Sequence, residues 1–237
     1  MTEINEAMIF AAGFGKRMLP LTKNTPKPLL KIKGKSIITY LIEELINNGF
    51  KNIVVNCHHL PNKILDELQV FSPKVKFIFE KEILDTGGGI LNALNKGFFC
   101  DTKTPKILIN GDIIWKKKMH SPIDAILKNW HEEKMDLLLC LKDKANFFGY
   151  QGKGDFNLDF RGEKFSRINI KDEKKFVFTG LQIIKPETIF EIKKKKFSMR
   201  EVFLKNIGKK LFGYCDKNDW FHVSNVNDLK QVNEYFG

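Results

Sequence analysis

The chain has 237 residues, 43% of them hydrophobic, and its 40 Lys and Arg against 28 Asp and Glu give a net charge of +12. That apolar fraction supports the core of one substantial α/β unit, and no apolar run reaches membrane-spanning length. The opening MTEINEAM lacks the cationic and apolar regions of a secretory leader, so a cytoplasmic protein with no membrane partner is expected. The positive excess is lysine spread over the whole length, and its densest run, Lys193 to Lys196, reads as a solvated face. No nucleic-acid partner is therefore expected. Cys57, Cys100, Cys140 and Cys215 lie far apart, without the close ligand pairs of a structural zinc site, and read as reduced, mostly buried thiols.

In chain order, residues 7–12 form an apolar run with the length of a buried strand. Gly13 and Gly15 break it, and Lys16 and Arg17 follow at once. Glycines at a strand end let backbone N–H groups approach an anion, and adjacent cations neutralise its charge. Pro20 and Pro26 are expected to keep the next segment extended, so that Lys27 returns toward Arg17. Such a cluster suits a triphosphate. The usual glycine fingerprints do not fit: a dinucleotide loop would want a third glycine where Pro20 interrupts, and a P-loop would want a hydroxyl after the lysine. Residues 29–32 read as a short extended piece turned at Gly34, residues 37–48 as a helix and residues 52–56 as a second strand. His58 and His59 follow it; adjacent residues on a strand face opposite ways, so they read as loop residues and not as a metal pair.

Residues 62–70 then predict a helix and 75–79 a third strand. Asp85-Thr86-Gly87-Gly88-Gly89 leads into a helical run over 90–96, and glycines at a helix start let backbone approach a ligand and leave the first amides free. A fourth strand over 106–110 ends in Gly111-Asp112. A carboxylate on a strand tip beside a phosphate site is well placed for Mg²⁺, which keeps several waters and takes one or two protein carboxylates. A helix over 122–134 and a strand over 135–141 complete an alternation that predicts a three-layer α/β/α sandwich on a mostly parallel, mixed sheet. The second half reads as strands and turns over 152–160, 164–170 and 176–184, then closing helices over 187–196, 198–207 and 228–235. No internal repeat or long linker divides the chain, so 1–237 is expected to be a single domain.

The segment AAGFGKRMLPLTKNTPKPLL resembles the signature loop of the sugar nucleotidyltransferases, A-A-G-x-G-x-R-[ML]-x-P-L-T followed by K-P-L. These enzymes transfer a nucleotidyl group from an NTP to a sugar 1-phosphate on a Rossmann-like fold. The stretch from Glu80 to Ile90 is similar to their E-x-x-x-L-x-T-G-G-G-I segment, and Asn110-Gly111-Asp112 to their metal-binding N-G-D element. Gly154-Asp155-Phe156 and the later FTGLQIIKP resemble motifs of the N-acetylmuramate 1-phosphate uridylyltransferases, while mannose 1-phosphate guanylyltransferases share much of the architecture. Base and sugar therefore stay open at this point, as does a monomer or a homodimer. The resemblance implies a nucleotide-binding part over 1–145 and a sugar-phosphate part with closing helices over 146–237. It implies a nucleotide cradled by Ala11, Ala12, Gly13, Gly15 and Lys16, with Arg17 on the β/γ-phosphates and Lys27 on the α-phosphate. Gly87, Gly88 and Gly89 would pack against the nucleobase and ribose. Asn110, Asp155, Thr179 and Gly180 would face the sugar, and Asp112 would bind the metal.

The likeness breaks near the end of the chain. The family pattern W-x-D-V-G-T carries a second metal-binding aspartate, and here the sequence is Trp220-Phe221-His222-Val223-Ser224-Asn225. His222 stands at the metal position, and imidazole suits softer ions better than magnesium. Three outcomes follow: Mg²⁺ held by Asp112 with His222 beside it, a softer ion such as Mn²⁺ in the site, or a protein that binds sugar nucleotide without turnover.

Overall fold

The computed structural model describes residues 3–148, 150–159, 165–171 and 173–237. The first apolar run forms β1 (Glu6–Phe10), and a small hairpin of β2 (Lys31–Ile32) and β3 (Lys35–Ser36) leads into α1 (Ile37–Asn47). Then come β4 (Asn52–Cys57), α2 (Pro61–Leu68), β5 (Val75–Phe79), α3 (Asp85–Asn95), β6 (Lys106–Asn110) and β7 (Ile113–Lys116). The middle of the chain gives α4 (Pro122–Lys128), β8 (Leu137–Asp143), β9 (Asn157–Leu158), β10 (Phe165–Asn169) and β11 (Phe176–Ile184). It closes with α5 (Glu187–Phe190), α6 (Met199–Asn206), β12 (Leu211–Cys215), β13 (Asp219–His222) and α7 (Val226–Tyr235).

Nine strands form one sheet in the order β5-β4-β1-β6-β11-β8-β12-β10-β9. β5, β4, β1 and β6 are mutually parallel, β11 runs against both β6 and β8, and β12 is parallel to β8. This is the mixed, mostly parallel sheet the alternation of elements predicts. Its central strands are apolar throughout because helices cover both faces. Ala7 and Ile9 join a core with Ile38 and Leu41 of α1 and Ile64 of α2, whereas Met8 between them joins Ile90 of α3 and Val202 of α6. The same alternation places Ile107 and Ile109 on the first face and Leu108 on the second.

At the N-terminal ends of these strands a charged cluster is buried. Lys106 is 0% and Glu6 3% exposed. The Lys106 ammonium lies 2.6 Å from Glu6 Oε2, and Asn52 Nδ2 and the Cys100 amide donate to Oε1 at 2.5 and 2.9 Å. The cluster ties β4, β1 and β6 together at the end opposite the candidate site.

Several elements differ from the sequence-based expectation. The helix expected to reach residue 134 stops at Lys128, where the Asn129 side chain donates to the Ala125 carbonyl at 2.8 Å. The helix expected to run to residue 196 stops at Phe190, and the lysine-rich stretch beyond it crosses α3, where Gly88 N–H donates to the Phe197 carbonyl. β12 goes unread in the sequence because Gly213 interrupts it; a Cβ there would come within 2.7 Å of Leu141 and Leu158, so close strand packing requires the glycine. Of the expected segments 152–160 and 164–170, Phe160 and Lys164 lie outside the described residues.

Candidate active site

A cavity of about 470 Å³ opens at the C-terminal ends of β1, β4 and β6, where open α/β sheets bind ligands. One wall is the loop from Ala11 to Arg17, including Ala12, Gly13, Gly15 and Lys16. Gly15 sits at φ +63°, and a Cβ there would lie 2.9 Å from Thr22 Cγ2 and 3.1 Å from Lys27 Cβ. Thr22 Oγ1 donates to the Gly15 carbonyl at 2.9 Å. The loop is thus folded tightly onto the segment that follows it, which only glycine permits at that position. A Cβ at Gly13 would meet open space, so its side of the loop stays clear for an incoming group.

The segment bearing Pro20 and Pro26 is not extended as expected. It winds through short 3-10 turns at Lys16–Met18, Leu21–Lys23 and Lys27–Leu29. Pro28 sits in the first turn of the last one, where a missing N–H costs nothing. Lys27 nevertheless returns as predicted. Its ammonium is 2.5 Å from Asp112 Oδ2, and His222 Nε2 reaches the same oxygen at 3.1 Å. β13 places His222 opposite Ile113, directly after Asp112, and the Val223 amide donates to the Asp112 carbonyl at 3.1 Å. Burial works to raise the Asp112 carboxyl, but the His222 hydrogen bond and the Lys27 charge outweigh it and hold the group well below the usual carboxylate range. Arg17 is exposed, forms no ion pair among the described residues and lines both this cavity and a larger cleft that His222 also borders.

Two lining residues received no role in the sequence reading, Asn56 and the Glu80 that opens the glycine segment. Asn56 Oδ1 accepts the Ala11 amide at 2.8 Å, and its Nδ2 donates to Glu80 Oε1 at 2.7 Å. Glu80 Oε2 in turn accepts the Leu84 amide at 3.2 Å. This chain of bonds fixes the glycine loop to the opposite wall. Its signal is a polar residue closing each of two apolar strands, NIVVN and VKFIFE. His58 and His59 are loop residues as expected, each ring nitrogen on a backbone carbonyl, of Glu80 and Thr22 respectively.

The helix expected over 90–96 begins earlier and takes in the three glycines. Gly87, Gly88 and Gly89 are buried inside α3, and a Cβ on Gly87 would stand 2.3 Å from the Phe197 ring and one on Gly88 2.4 Å from the Lys195 carbonyl. Gly87 and Gly88 let the chain before α6 cross the helix, whereas a Cβ on Gly89 would stand 3.0 Å from Asn56 Nδ2 and 3.1 Å from Glu80 Oε1, and Asp85 and Thr86 supply the cavity wall there. Thr179 is also turned inward, 1% exposed, with its hydroxyl donating to the Cys140 carbonyl at 2.9 Å. Gly180, at φ +94°, lies where the register of β11 with β8 shifts, and a Cβ there would be 3.0 Å from Asn110. It makes room for Asn110, which lines the main cavity and a neighbouring recess. Asp155 lines that recess, its Oδ2 accepting the Phe178 amide at 3.0 Å.

Among the described residues no group of three or more His, Cys, Asp or Glu side chains could hold a metal ion. Asp112 fits an oxygen-seeking ion that keeps waters and phosphate oxygens as its other ligands; the His222 nitrogen suits such an ion poorly.

Comparison with known proteins agrees with this geometry. The Nucleotidyl transferase family model matches residues 6–155. The N-acetylmuramate alpha-1-phosphate uridylyltransferase of Caulobacter vibrioides is 29% identical over 227 residues, covering 92% of this chain and 90% of the relative. The enzyme of that name from Neisseria meningitidis serogroup B is 40% identical over 113 residues, 46% of this chain and 47% of its own. The bifunctional protein GlmU of Methanococcus maripaludis is 36% identical over 52% of this chain, which spans only 27% of that longer protein. Among solved structures, a UDP-glucose pyrophosphorylase complexed with UDP-glucose superposes with a TM-score of 0.80 at 16% identity, covering 99% of this chain and 98% of its own, which shows the shared fold. HddC from Yersinia pseudotuberculosis gives 0.75 at 24% identity, covering 99% and 100%. With a family match across most of the chain and the cationic loop and Asp112 meeting in one cavity, the chain belongs to the nucleotidyl transferase family and is a nucleotidyltransferase of the sugar-phosphate class.

Proposed function

We propose that the protein transfers a uridylyl group from UTP to N-acetylmuramate 1-phosphate and releases pyrophosphate. The observation that carries the reaction type is the meeting of Lys27, Asp112 and Arg17 on one cavity at the strand ends. The choice of substrates is supported by the Caulobacter relative, which matches over most of both chains.

A phosphate oxygen of the sugar 1-phosphate attacks the α-phosphorus in line, a new P–O bond forms, and the bond to the β-phosphate breaks with pyrophosphate leaving. The nucleophile is already anionic, so no general base is needed, and catalysis is positioning and charge neutralisation. Lys27 exchanges its contact with Asp112 for the α-phosphate. Arg17, exposed and without an ion pair among the described residues, takes the β- and γ-phosphates, with Lys16 beside it. The amides of the loop from Ala11 to Gly15 cradle the nucleotide, and Asn110 and Asp155 hold the sugar side. Mg²⁺ anchored on Asp112 would supply further neutralisation of the phosphate charge, with Mn²⁺ as the substitute that a nearby imidazole tolerates better.

His222 favours one other reading, a pocket that binds sugar nucleotide without turnover, because the ion would lose a second anionic ligand. Pyrophosphate release from a grid of four NTPs against several sugar 1-phosphates, with Mg²⁺ and with Mn²⁺, separates the two. The expected result is release with UTP and N-acetylmuramate 1-phosphate above every other pair. Release elsewhere in the grid, for example with GTP and mannose 1-phosphate, would keep the chemistry and replace the substrates. Silence with nucleotide binding retained would establish the binding protein.

A further inference from the structure

Beside the main cavity, and joined to it through Asn110 and Thr86, is a recess of about 210 Å³. Its apolar wall is Phe156, Phe178 and Phe203, with Phe178 and Phe203 in edge contact at 5.2 Å between ring centroids. Into this apolar setting β11 places Gln182, 1% exposed, and its Oε1 is buried with no hydrogen-bond partner among the described residues. A buried acceptor left unpaired costs free energy in the empty protein, so its retention points to a donor brought by a ligand.

The rim carries a second unused group. Arg200, on α6, has a half-exposed side chain whose one ion contact among the described residues, to Asp155 Oδ1, is long at 3.5 Å. The other polar groups around it are engaged. The Met199 amide donates to Thr86 Oγ1 at 2.9 Å, Lys194 pairs with Glu201 at 2.6 Å, and Lys205 with Glu191 at 3.1 Å. Most of the planar donor fork of Arg200 therefore stays open toward the recess, and such a fork matches a carboxylate.

We propose that this recess selects the sugar: Gln182 accepts the amide N–H of an acylamino group, and Arg200 pairs with a carboxylate carried on the same sugar. The substrate class is a carboxylate-bearing acylamino sugar 1-phosphate. The inference rests on the reading of the main cavity as a sugar nucleotidyltransferase site, but it gives roles to two residues, Gln182 and Arg200, that have none in that reading.

The test is calorimetric titration of the full chain with UDP-N-acetylmuramate and with UDP-N-acetylglucosamine, which share the acetamido group and differ by the carboxylate. The wild type is expected to bind the carboxylated ligand about tenfold more tightly. Arg200→Met should abolish that preference and leave UDP-N-acetylglucosamine unchanged. Gln182→Met should weaken both ligands about tenfold while the Tm of the free protein stays level or rises, because an unpaired buried acceptor has been removed. No preference in the wild type, an equal loss for both ligands in Arg200→Met, or a lowered Tm with full affinity in Gln182→Met would each overturn the proposal. Pyrophosphate release measured on the same proteins keeps the two readings apart. Turnover without discrimination defeats the recess, and discrimination without turnover defeats the nucleotidyl transfer.

Discussion

At the scale of single residues, Lys27 and His222 converge on one oxygen of Asp112, so the carboxylate is already neutralised before any substrate arrives. His222→Asp replaces a donor to Asp112 with a second carboxylate beside it. Without metal the variant should lose about 1 kcal/mol in a denaturant titration, and added Mg²⁺ should restore it. An unchanged response to Mg²⁺ would mean that His222 stands clear of the ion. Arg17→Ala should lower kcat/KM about 10²-fold or more with an unchanged Tm, since the side chain is exposed and forms no ion pair among the described residues. A near-normal rate would remove Arg17 from the phosphate site. These positions were legible because glycine, lysine and arginine after an apolar strand have few other uses together. Asn56 was not, and Glu80 stood in a motif segment without a role, since what they do comes from bonds to Ala11 and Leu84, which only the folded chain brings near.

At the scale of elements, α3 shows how one sequence signal serves two physical ends. Three glycines in a row announce a close approach of backbone, and a close approach is present, but for Gly87 and Gly88 its partner is the protein's own chain at residues 195–197, and only Gly89 faces the cavity residues Asn56 and Glu80. Periodicity cannot distinguish a ligand from a distant segment. Gly87→Ala would set a methyl against the Phe197 ring and is expected to cost about 1–3 kcal/mol in thermal or urea unfolding, the range for overpacking a filled core. Stability within error of the wild type would show that Phe197 can move aside. Strands buried on both faces, such as β1 and β6, were read correctly from their apolar content. β12 was missed because its glycine serves packing between strands, and β7 and β13 because each is four residues long and the two pair outside the main sheet.

At the scale of the whole molecule, the functional end of the sheet is open and polar while the opposite end is closed by the Glu6–Lys106 cluster. Burial works to raise the Glu6 carboxyl, but hydrogen bonds from Lys106, Asn52 and the Cys100 amide outweigh it and hold the group below its ordinary value of 4.5. Its folded-state value is the lower one, so its contribution to stability is complete above the unfolded value and is lost as pH falls through the folded one. Glu6→Gln should therefore cost about 3–5 kcal/mol near neutral pH, the range for breaking a buried ion pair, and should flatten the acid limb of the stability profile. A variant with an unchanged acid limb would show that other carboxylates govern it. The placement of β11 has a different consequence. This strand from the second half of the chain lies between β6 and β8, both from the first half. A fragment ending near residue 145 would expose the bare edges of both strands, and unpaired edges recruit other chains. We expect that fragment to aggregate when made alone and to be rescued by co-expression with residues 146–237, because neither part closes the sheet without the other.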